Sequence, residues 1–119
     1  MSKSLQRLLK IQQGLEDIEF ILKKNNFKIT TAIEDKILKP AIRMHIVRVA
    51  EQFNKLKDEN EFKLLEQFEP YDLRGINAVR NFIAHDYDSV DDNIIEDVLR
   101  ENFPRIKKNV DDILEKEKL

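Results

Sequence analysis

The 119-residue chain has no cysteine and no tryptophan, only two glycines and only three prolines. Without cysteine there can be no disulfide, no thiolate nucleophile and no cysteine-bearing zinc site. Such a chain suits a reducing compartment, and a cytoplasmic location is expected. Two glycines leave little material for the tight turns of a β-rich fold. No apolar run reaches membrane-spanning length, and Lys3, Arg7 and Lys10 interrupt the segment from Met1 to Lys10. Neither a membrane span nor a signal-peptide core is therefore expected. An excess of positive charge is also missing, since 21 Lys and Arg face 23 Asp and Glu for a net charge of -2. Proteins that hold nucleic acid by bulk electrostatics are usually basic, so any RNA contact has to come from a local patch or a small pocket, and no DNA binding is expected.

What the chain does have is charge and aliphatic side chains: 37% of its residues are charged and 41% hydrophobic. That composition favours helices with charged surfaces, and the length suits one domain, residues 1–119, with a single core. Leu8, Ile11, Leu15, Ile18 and Leu22 recur alternately three and four apart and define one helical stripe, ended by Asn25 and Asn26. A second helix is predicted from a Thr31–Glu34 capping box to about Lys57, with Pro40 kinking it or splitting off its first turns. It carries two apolar stripes, Ile37, Ala41 and Met44 beside Ile42, Ile46, Val49, Phe53 and Leu56, and so is expected to pack on more than one side. A short helix follows around Glu61 to Phe68. Pro70 then opens a helix bearing Leu73, Ile76, Val79 and Ile83. Ser89 with Asp92 predicts a capped helix burying Ile94, Ile95, Val98 and Leu99, which Pro104 bends or restarts before Ile106, Val110, Ile113 and Leu114. The expected architecture is all-α, a four- to five-helix up-down bundle with short connections.

The stretch RNFIAHDY, residues 80–87, places Arg80, His85 and Tyr87 close together in a chain with two histidines and two tyrosines. On a continuous helix, residues five apart lie about 140° apart around the axis. Arg80 and His85 can share a face only if the helix yields near His85, and the cap at Ser89 independently requires a turn there. In an extended turn, His85 and Tyr87 would face one cleft with Arg80 behind them. A guanidinium binds phosphate bidentately, and an imidazole can give or take a proton at neutral pH. RNA brings its own nucleophile, the 2'-hydroxyl, so cleavage by this route needs no metal and no cofactor. It does need a base and an acid while the motif supplies one histidine, so a homodimer with paired motifs along one groove is expected.

At these residues the chain resembles the HEPN superfamily, specifically the HepT-like ribonuclease toxins, whose hallmark is Arg-x4-His-x-Tyr with a polar residue after the arginine. The likeness extends to AIRMHIVRVAEQFNKL as the long second helix, YDLRGINAVRN before the arginine and ENFPRIKKNV near the end. It implies a dimerising HEPN-like bundle. Arg80 and His85 would be the catalytic pair of an RNA-cleaving toxin, and Asn81 the accessory polar residue. Tyr87 would be the tyrosine to which a cognate minimal nucleotidyltransferase antitoxin attaches AMP. The alternative in a different class is a helical partner subunit of that nucleotidyltransferase, without nuclease activity, whose same residues hold a nucleotide or the partner. Arg80 could also serve as a surface ion pair, His85 as a helix-terminal cation and Tyr87 as a ring packed on the bundle.

Lys36, Lys39 and Arg43 form one basic helical edge, either a solvated face or a guide for RNA or an acidic partner. His45 has no partner at ligand spacing and reads as a packed or dimer-interface histidine. The acids around and after the motif, Asp86, Asp88, Asp91, Asp92, Glu96 and Asp97, lack the order of a calcium loop and read as charge at a helix N-terminus, with no metal site expected.

Overall fold

The computed structural model describes residues 2–26, 28–85 and 91–117. Its elements are α1 (Lys3–Lys24), α2 (Ile29–Glu34), α3 (Leu38–Asp58), α4 (Phe62–Leu65), α5 (Pro70–His85), α6 (Asp92–Asp97), a π-helical turn (Val98–Asn102) and α7 (Phe103–Glu117). The fold is all-α, with no strand among the described residues. Four long helices make the bundle: α1 packs against both α3 and α7, and α5 lies on α3 and the π turn. No helix among the described residues is long and apolar enough to cross a membrane.

Helix α1 buries the five residues of its predicted stripe. Ser2 caps its start, its hydroxyl accepting from the Leu5 amide at 3.2 Å. At its end Asn25 Nδ2 donates to the Ile21 carbonyl at 2.9 Å, and Asn26 adopts φ 55°, a left-handed geometry that asparagine tolerates better than most residues. Midway, Gly14 lets α1 approach α3 closely, because a Cβ there would stand 2.7 Å from Cγ2 of the fully buried Val49.

The predicted second helix divides as Pro40 implies, but not at the predicted cap. Thr31 lies inside α2, whose preceding residue, Lys28, makes no side-chain capping bond. The effective cap is Asp35, whose Oδ1 accepts from the amides of Ile37 at 2.8 Å and Leu38 at 3.0 Å. These two amides hold the Asp35 carboxyl below its usual pKa. Pro40 is then the third residue of α3, where a missing N–H costs nothing. A helix running unbroken from Thr31 would instead drive its ring into the carbonyl of Lys36. Only one of the two stripes of α3 is covered: Ile42, Ile46, Val49, Phe53 and Leu56 are buried, whereas Ile37 and Met44 are 81% and 59% exposed.

The predicted cap at Ser89 lies outside the described residues, and α6 starts instead at Asp92 with Asp91 as its cap, accepting from the Asn93 amide at 2.8 Å. Asp92 cannot serve as the far end of a capping box because its carboxylate is engaged across the bundle by Lys39 and Arg43. Pro104 has the restarting effect expected of it. A regular helix would press its ring on the Arg100 carbonyl, and the wider π turn, in which the Phe103 amide reaches back to Val98 O, relieves that clash.

One polar cluster is buried within this frame. Asp72 is fully buried and accepts from Asn102 Nδ2 at 2.9 Å and from Arg105 Nη2 at 2.6 Å, tying α5 to the π turn and α7. Gly75 makes room for it, since a Cβ there would lie 3.1 Å from Asn102 Oδ1. A glycine-to-alanine change inside a helix ordinarily stabilises by up to about 1 kcal/mol. Gly14→Ala should have the opposite sign, losing about 1–2 kcal/mol, because the stiff Val49 side chain has nowhere to move. Chemical denaturation should detect the loss and show it largely relieved when Val49→Ala is added to the same chain.

Candidate functional site

Helix α5 is held to the core by Ile76, Val79 and Ile83, which leaves Arg80 at the edge facing α3. Arg80 Nε donates to Glu51 Oε1 at 2.6 Å, Nη2 lies 2.5 Å from the same oxygen, and Nη1 donates to Asn81 Oδ1 at 3.1 Å. The guanidinium is 28% exposed, so the ion pair sits at a rim that solvent reaches. Glu51 is a site residue that sequence reasoning passed over. It lies 29 positions from Arg80 on another helix, and no local spacing connects the two.

His85 is the last residue of α5 and is exposed. Because α5 is helical through His85, the two side chains project about 140° apart around its axis. Arg80 and His85 therefore do not share one face of a single protomer, and the turn expected between Ala84 and Ser89 lies, beyond His85, outside the described residues. Asn81 sits between them and is exposed, with its amide oxygen committed to Arg80. Tyr87 lies outside the described residues, as do Asp86 and Asp88.

The basic edge takes a different form from the one expected. Arg43 is buried, 3% exposed, and its Nη2 lies 3.1 Å from Asp92 Oδ1. Lys39 Nζ lies 3.1 Å from Asp92 Oδ2, and only Lys36 is left exposed. An arginine enclosed this way is held by a buried or half-buried acid because an uncompensated charge there is costly. Lys39 and Arg43 thus tie α3 to α6. The same contacts neutralise part of the acidic run. Glu96 is likewise engaged, accepting from Arg100 and from the Thr30 hydroxyl, which together hold its carboxyl below the usual range.

His45 packs where α3 meets α1. Its Nδ1 is 2.7 Å from Arg48 Nη1 and 4.0 Å from Asp17 Oδ2. Burial and then the Arg48 charge push the imidazole below its ordinary pKa, against a smaller opposing pull from Asp17. Among the described residues, no group of His, Asp and Glu has the proximity needed to hold a metal ion. A groove of about 710 Å³ between α1 and α7 is lined by Leu15, Ile18 and Phe103 among others, and it includes none of Arg80, Asn81 and His85.

The all-α bundle of four long helices is consistent with a HEPN-like fold. The family described as "Ribonuclease HepT-like" matches residues 5–113, nearly the whole chain, and the protein belongs to that family. Comparison with curated proteins and with solved structures finds no match.

An imidazole whose folded pKa lies below its ordinary value of 6.5 takes up protons more readily in the unfolded chain. Folding stability should therefore be complete above pH 6.5 as far as His45 is concerned, and fall as the pH drops below it. Thermal melts of wild type and His45→Gln between pH 7.5 and 5 should converge or cross as the pH falls, wild type losing more.

Proposed function

We propose that the protein is a metal-independent endoribonuclease toxin that works with a nucleotidyltransferase antitoxin. The observation that carries this reading is the placement of Arg80 and His85, both reached by solvent, on the last turns of α5 in a chain of the HepT-like ribonuclease family. In the reaction, a histidine removes the 2'-hydroxyl proton of RNA, the 2'-oxygen bonds to the adjacent phosphorus, and the 5'-oxygen leaves with a proton from a second acid. The products are a 2',3'-cyclic phosphate and a 5'-hydroxyl end. Arg80 stabilises the charge that gathers on the phosphoryl oxygens.

Two features support a homodimer as the working form. One protomer offers one His85, and it projects away from that protomer's Arg80, so base, acid and guanidinium need two copies. The uncovered stripe of α3 supplies a surface for such packing: Ile37, Met44 and Glu51 are spaced seven apart, so the exposed apolar residues run in line with the carboxylate that holds Arg80. In the silenced state, Tyr87 attacks the α-phosphorus of ATP, its oxygen forming the new bond as pyrophosphate leaves. The attached AMP brings bulk and negative charge beside His85 and hinders entry of an RNA phosphate.

The Glu51–Arg80 pair favours a second reading, an inactive partner subunit, because that guanidinium is already neutralised. Cleavage of single-stranded RNA in the presence of a chelator separates the two. The toxin reading expects wild-type activity, with Arg80→Ala and His85→Ala each lowering it by about 10²–10⁴-fold while both variants keep the wild-type melting behaviour. Intact RNA from wild type would establish the partner reading instead. Co-expression with the nucleotidyltransferase should add one AMP to the intact mass, an increment absent from Tyr87→Phe.

A further inference from the structure

Lys39 and Arg43 are paired with Asp92, and a different surface leads to His85. Tyr71, Ala78 and Phe82 lie seven and four residues apart on α5, which puts them within about 40° of one another on one outward face. Phe82 is 50% exposed and Tyr71 55% exposed, each a large ring presented to water from a rigid helix. Between them the helix shows only small residues, the half-buried Gly75 and the exposed Ala78, so the face is a flat floor rather than a pocket. His85 continues the line, one turn beyond Phe82. One cation flanks it, Arg74, exposed one turn from Tyr71. The Arg105 guanidinium, held by the buried Asp72, lies over the Tyr71 ring, 5.8 Å from its centroid, and Glu101 accepts from the Tyr71 hydroxyl at 3.3 Å, so that the ring's position is fixed.

We infer that this face of α5 is a track for single-stranded RNA, with Phe82 and Tyr71 as base-stacking rings and Arg74 as a phosphate contact, feeding the strand toward His85. The inference deepens the endoribonuclease reading and rests on it for the direction of the strand. Aromatic rings stack on any unpaired base, and an arginine beside them neutralises the backbone, which is how single strands are held without a strongly basic protein. About 16 Å of helix separates Tyr71 from Phe82, more than one nucleotide step can bridge, so the two rings serve different bases. Phe82 would contact the nucleotide next to the cleaved bond, and Tyr71 one further along.

The test uses the full chain and measures affinity for a fluorescently labelled single-stranded RNA in the His85→Ala background, where no cleavage is needed. Phe82→Leu and Tyr71→Leu, which keep an apolar side chain but remove the ring, should each weaken binding about tenfold, and Phe82→Trp should restore it. Arg74→Gln should lower the slope of log affinity against log salt by about 0.7, the share of one single-strand phosphate. With His85 intact, Tyr71→Leu should raise KM for a long RNA but leave a dinucleotide substrate unaffected, and kcat should stay within about twofold of wild type. Unchanged affinity in the two leucine variants would overturn the track. So would a shift of Phe82→Leu from dimer to monomer in native mass measurement, which would assign the face to a contact between copies. Absence of any cleavage by wild type would count against the endoribonuclease reading, while the affinities in the His85→Ala background would still decide whether RNA follows this face.

Discussion

The buried guanidinium of Arg43 is the constraint around which the motif is arranged. A charge with 3% exposure cannot go uncompensated, and Asp92, the first residue of α6, is drawn onto α3 to meet it. Only six residues separate His85 from Asp92, so this tie also limits how far the end of α5 can stray from α3. Eight residues along α3, Glu51 performs the same service for Arg80. The segment that carries the site is thereby fastened to one helix on both sides, by Arg80–Glu51 before His85 and by Arg43–Asp92 after it. Helix α3 is in turn held against α1 at the close Gly14–Val49 approach.

These ties also redistribute charge. Read along the chain, the residues from Asp86 to Asp97 look like a wall that would repel a polyanion. In the fold, Asp92 and Glu96 are engaged by Lys39, Arg43 and Arg100, and their charge is balanced on the α2–α3 side of the molecule. The same bonds occupy Lys39 and Arg43, so that these opposite charges largely cancel one another. On such a surface, stacking and a few placed arginines weigh more than net charge.

What could be read from the sequence was what is local to one helix. The stripe from Leu8 to Leu22 and the opening of α5 at Pro70 both follow from spacing or a single residue's chemistry. The cap at Thr31 was misplaced because a better acceptor stood nearby, Asp35, which meets two free amides, while α6 opens with Asp91 in the position before Asp92. Choosing between neighbouring caps depends on tertiary demands, here the removal of Asp92 to α3. The second stripe of α3 was correctly seen as apolar, but its partner cannot be found within the described residues of one chain, and Ile37 and Met44 face water there. Glu51 opposite Arg80, and Asp72 with Asn102 and Arg105, join residues about 30 positions apart, and no periodicity announces such pairs.

The division of Arg80 from His85 around α5 bears on how such an enzyme would be controlled. In a lone protomer the guanidinium answers to a carboxylate on one flank of the helix, while the imidazole stands on another. An RNA phosphate entering there has to compete with Glu51 for Arg80 and would meet only half of the acid–base pair. Under the proposed reading, association of two copies changes both terms at once. It supplies the second imidazole, and by covering the stripe that includes Ile37 and Met44 it alters the solvation of the Glu51 carboxylate in line with them. Activity would then rise with assembly rather than with folding alone. A modification at Tyr87, two residues past His85, would act at the place where the paired motifs have to come together.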